Sequence, residues 1–119
     1  MKRLITSELV NTPEMKQLCD NICEKLDKIA INNYGDGIDD LSAEITKNNF
    51  GDMTFKMRGI FYYTNNEDDI YDVVNKFEKY MLDETIFNDF TDVDYTYGKN
   101  EKFNYVIFVL KATKYDEII

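Results

Sequence analysis

The sequence predicts an α+β domain in the order α-ββ-α-ββ, a four-stranded antiparallel sheet with two helices packed on one face. Three observations predict it. Residues 53–64 alternate: Met53, Phe55, Met57, Gly59, Phe61 and Tyr63 face one way, and Thr54, Lys56, Arg58, Ile60, Tyr62 and Thr64 the other, the period of a half-buried strand. Ile70, Val73, Val74, Phe77, Tyr80 and Met81 then recur at helical spacing. Finally, residues 14–64 and 67–113 repeat one plan of helix, short strand, polar Lys-Asn loop and long strand ending in threonine, for which internal duplication is one reading. With 119 residues, 44% of them hydrophobic, the chain reads as a single domain, 1–119, around one core.

Each element has its own signal. Residues 1–11 are short and mixed, an arm or an edge strand. A helix over 12–33 opens on Thr12 as cap with Pro13 at its first position. Its stripe is Met15, Leu18, Ile22, Leu26 and Ile29, flanked by Cys19, Cys23 and Ala30, and it stops at the Gly35-Asp36-Gly37 turn. Residues 38–50 permit two readings. Ile38, Leu41 and Ile45 suit a short helix, whereas Leu41, Ala43 and Ile45 suit a strand. The Asn-rich loop 47–52 favours the strand, and with it a hairpin over 41–64. The second helix, 66–84, starts with Asn66 as N-cap and Asp69 three residues on; Glu67, Asp68 and Asp69 lie at its positive end. Residues 85–91 form a connection anchored by Ile86, Phe87 and Phe90. A second hairpin, 92–113, pairs Val93, Tyr95 and Tyr97 with the last strand across a loop at 98–102. Phe103, Tyr105, Ile107 and Val109 occupy one face of that strand and Val106, Phe108 and Leu110 the other. Both faces are apolar, so both are expected to be covered, by the termini or by another subunit.

Composition narrows the chemistry. The net charge is −9, and between Glu67 and Asp94 only Lys76 and Lys79 offset a dense run of acids. Such a body repels phosphate backbones, so no direct nucleic-acid partner is expected. Glu67, Asp68, Asp69, Asp72, Asp92 and Asp94 form a candidate surface for a basic protein, although helix-start acids and acidic loops are also ordinary solvated features. The absence of histidine removes Ser-His and Cys-His nucleophiles. No phosphate loop is present. Aligning Gly37 with the glycine of a calcium loop puts Tyr34 and Ala43 where oxygen ligands are needed, so that reading fails. Cys19 and Cys23 are better buried thiols of a reducing compartment than a zinc site. The acid pairs Asp39-Asp40 and Asp68-Asp69 do not converge; Asp92 and Asp94 come nearest to a metal pair. Tyr62, Tyr63, Tyr95, Tyr97 and Tyr105 suit packing and protein contacts better than base stacking, since only Lys56, Arg58, Lys99 and Lys102 lie near them. No catalytic residue, metal, cofactor or membrane partner is expected. Lys2 and Arg3 precede too short an apolar run for a signal peptide, and residues 105–110 are too few to span a bilayer.

The element order and the two long strands, Thr54 to Thr64 and Phe103 to Leu110, resemble those of bacteriophage tail terminator (tail completion) proteins, small α+β subunits that form rings capping the tail tube. The resemblance covers about 100 residues and rests on strand character, with no sharp motif. It implies a non-enzymatic structural subunit, a homo-oligomeric ring with Val106, Phe108 and Leu110 in or near the subunit interface, and a place in the host cytoplasm or the assembled virion. The alternative class is a small acidic inhibitor or DNA mimic, acting through the acid surface at 67–94.

Overall fold

The computed structural model describes residues 4, 6–63 and 67–116, without the side chain of Asp92. Its elements are β1 (Ser7–Leu9), α1 (Pro13–Tyr34), β2 (Asp39–Asn48), β3 (Met53–Tyr63), α2 (Asp68–Asp83), β4 (Asp89–Lys99) and β5 (Asn104–Lys114). The α+β class holds, but the sheet has five strands rather than four, in the order β1-β2-β3-β5-β4, every neighbouring pair antiparallel. The extra strand comes from the arm. Ser7, Glu8 and Leu9 pair with Asn48, Lys47 and Thr46, and the Asn49 side chain ties Thr6 N–H and Leu4 C=O to the neighbouring turn.

α1 begins as its sequence dictates. Thr12 Oγ1 accepts the Met15 N–H at 3.3 Å, and Gly35, at φ 91°, turns the chain out while its N–H bonds Ile31 C=O. Its buried line is Cys19, Ile22, Leu26 and Ala30: Ile22 and Leu26 of the expected stripe are joined by the flanking Cys19 and Ala30, while Met15, Leu18, Cys23 and Ile29 lie at the half-buried margin. α2 buries Ile70, Val73, Val74, Phe77 and Met81. Glu67 precedes it without a side-chain cap bond; the expected Asn66 cap lies outside the described residues.

Residues 39–48 form a strand, which decides the open question at 38–50. Both β2 and β4 start two or three residues earlier than the alternation indicates, because each carries a bulge, between Asp39 and Ser42 and between Thr91 and Asp94. In the first, Asp40 takes φ 48°, a conformation aspartate tolerates better than most residues. The two hairpin loops are also alike. Asn48 Oδ1 accepts the N–H groups of Phe50 and Asp52, and Asn100 Oδ1 accepts those of Lys102 and Phe103. Each half of the chain is thus a helix, a bulged strand, an asparagine-keyed turn and a long strand, and the long strands β3 and β5 meet at the middle of the sheet.

The core lies between the helices and one sheet face. Phe61 stacks on Phe108 with centroids 4.9 Å apart, Phe77 contacts both, and Phe55 packs on Phe87. Of the connection at 85–91, Phe87 is buried and Phe90 half-buried, while Ile86 is exposed. Val106, Phe108, Leu110 and Ala112 are fully buried on this same face. Val106, Phe108 and Leu110 are therefore core residues, not a subunit interface. The register puts them beside Phe61, Gly59 and Met57, the inward residues of β3. The open face of β5 is the other one.

Candidate functional site

Two surfaces stand out, and they adjoin. The first is the sheet face that no helix covers. Ile60 lies opposite Ile107, Tyr62 opposite Tyr105, and Arg58 opposite Val109. Ile60, Tyr105, Ile107 and Val109 are half-buried, Tyr62 is 36% exposed and Phe103 43%. Tyr62 contacts both Phe103 and Tyr105, with centroids 6.2 and 6.1 Å apart. The Tyr105 ring lies over Gly98 on β4, so closely that a Cβ there would collide with it. A water-facing antiparallel face ordinarily carries polar residues. Here its centre is isoleucine, valine and tyrosine, and its margins carry Glu44, Lys56, Arg58, Lys111 and Asp94.

The second surface is a cleft of about 800 Å³ at one end of the sheet. Asp27 and Tyr34 of α1, Asp36 to Asp39 of the following turn, Tyr62 and Tyr63 of β3, Asp69 of α2, and Asn100 and Phe103 of the last hairpin line it. Four carboxylates and four aromatic rings thus line one cavity, with no cation among the described lining residues. The turn is pinned from both sides. Asp27 Oδ1 accepts the Ile38 N–H at 2.8 Å, and a side chain at Gly37 would meet that carboxylate. Ile38 in turn packs over Gly59. The Tyr34 hydroxyl donates to Tyr62 C=O at 3.1 Å. Burial, then the negative charges of Asp69 and Asp36, push the Tyr34 phenol up to about 12.

The acids singled out from sequence do not form one surface. Glu67, Asp68 and Asp72 are exposed at the start of α2, and only Asp69 of that group reaches the cleft. Asp94 is opposite Val109 on the uncovered sheet face, away from the helices, and the side chain of Asp92 lies outside the described structure. Reading along the chain missed Asp27, Asp36 and Asp39 as partners, since a helix residue and a turn come together only through the fold. The one sequence signal was the Gly35-Asp36-Gly37 turn.

Two thiols and several phenols are shifted upward. Burial raises Cys19 and pushes the Cys23 thiol up to about 12. Tyr97 is raised by its hydrogen bond with Tyr71, and Tyr115 by its bond to Asp89. Every resolved shift moves a thiol or phenol further from neutrality. Among the described residues no group of three or more Cys, Asp or Glu is arranged to hold a metal ion, and no helix is long and apolar enough to cross a membrane. Comparison with protein-family models, curated proteins and solved structures gives no match.

Proposed function

We propose that this protein is a non-enzymatic structural subunit that acts by associating with copies of itself, as tail-completion ring subunits do. The uncovered apolar sheet face carries the reading. β3 and β5 are eleven residues each, and at ~3.3 Å per residue and a width of ~4.8 Å for each of four strands the whole face, apolar centre and charged margins together, measures roughly 700 Å². A standard interface buries about 800 Å² per partner. The thiols and phenols raised away from neutrality support a non-catalytic role, since acid–base catalysts are tuned toward it. Light scattering after size exclusion, over a range of protein concentrations, tests the proposal. It expects a multiple of 14.1 kDa, and Ile107→Asp, placed on the open face, to return the protein to a monomer that keeps the wild-type far-UV circular dichroism spectrum and a cooperative melting transition. A monomer at every concentration would refute it.

A second reading is an acidic protein that binds a basic partner, and the cleft with four carboxylates and no lining cation favours it. It expects a monomer that binds polylysine tightly at low salt and loses it as salt rises.

A further inference from the structure

The uncovered sheet face carries a row of cations, Lys56, Arg58 and Lys111, on its two central strands, with Glu44 and Asp94 on the flanking strands. Lys56 lies directly opposite Lys111 on the β3–β5 ladder, and Arg58 is two residues further along β3. Like charges directly opposite one another destabilise a sheet pair. Glu44 is the β2 neighbour of Lys56. Lys28 pairs with Glu24 on α1, and the three cations of the row are not part of that ion pair. In a chain with 23 acids and 14 bases, these three exposed cations cluster on the two central strands. The acidic cleft is their complement: Asp27, Asp36, Asp39 and Asp69 with Tyr62 and Phe103, and no cation.

We infer that copies of this chain associate with the Lys56–Arg58–Lys111 row of one copy seated at the acidic, aromatic cleft of another. The inference rests on the self-association proposed above and names the surfaces that meet. Carboxylates offer a guanidinium paired hydrogen bonds, and tyrosine and phenylalanine rings offer a cation their faces. The row lies on the sheet face away from the helices. The cleft is walled by α1, α2 and the turns at the sheet's end. Each copy has one donor surface and one acceptor surface, which pair reciprocally across a two-fold axis or successively around a ring.

Charge reversal on each surface tests this. Lys56→Glu/Lys111→Glu and Asp36→Lys/Asp39→Lys alter only exposed side chains, and a wild-type far-UV circular dichroism spectrum with a cooperative melting transition confirms that both variants fold. Each variant alone is expected to be a monomer, its association weakened at least tenfold. An equimolar mixture is expected to regain the wild-type mass with the two variants in 1:1 ratio by native mass spectrometry, because complementary charges then meet at every contact. Wild-type mass for either variant alone, or a mixture that stays monomeric, would overturn the row-to-cleft contact and leave self-association standing. A wild type that is monomeric throughout would overturn both.

Discussion

Gly59 shows how much one missing side chain decides. It sits on the inward face of β3, where Ile38 and the Phe108 ring close over it, and a Cβ would meet the ring at 3.0 Å. The ring is held by Phe61 and Phe77 and has little room to withdraw. Gly59→Ala should therefore cost about 1–3 kcal/mol, the usual range for overpacking, measured by urea denaturation. Phe108→Ala should cost about 3–5 kcal/mol in the same assay, whereas a polar residue at Ile107, one position away but on the open face, should cost little. Tyr34 gives a residue-scale test of the cleft's field. Its phenol titrates at about 12 in the folded protein and at about 10 when unfolded. The folded state holds the proton more tightly, so the stabilisation is complete below pH 10 and is lost as pH rises from about 10 to 12. Tyr34→Phe should flatten that part of the stability profile. Asp36→Asn and Asp69→Asn should lower the Tyr34 titration, read as the difference in tyrosinate absorbance from Tyr34→Phe.

At the scale of elements, what could be read from sequence followed from periodicity, and what could not followed from bulges and pairing. The Thr12-Pro13 start and the Gly35 stop of α1 were legible because caps are local chemistry. Thr12→Ala should cost about 1 kcal/mol in thermal or urea unfolding. The first residues of β2 and β4 were missed because a bulge breaks the alternation at each. β1 has three exposed residues and no pattern of its own; its strand exists through hydrogen bonds to β2. The two faces of β5 could not be ranked, since Val106, Phe108 and Leu110 are as apolar as Tyr105, Ile107 and Val109. Only the register with β3, which sets Phe108 beside Gly59 and Val109 beside Arg58, decides which set faces the helices. The same limit hid the cleft: Asp69 was legible as a helix-start acid, but its nearness to Tyr34 and the 36–39 turn is a tertiary fact.

For the whole molecule, charge and apolar area make opposite demands on association. Two bodies of net charge −9 repel, and salt relieves that repulsion. An interface built on the apolar face alone would thus strengthen as salt is added. Row-to-cleft pairing is local attraction between opposite charges, and it weakens instead. Sedimentation of the wild type at low and high sodium chloride should therefore show association falling as salt rises. The claim underneath both is that the open face of β3 and β5 is covered in the working protein. The most direct measurement is the solution mass of the wild type beside Ile107→Asp, by light scattering after size exclusion across protein concentration. The account expects an oligomer for the wild type and a folded 14.1 kDa monomer for the variant; a monomeric wild type, or an oligomer that Ile107→Asp leaves intact, would contradict it.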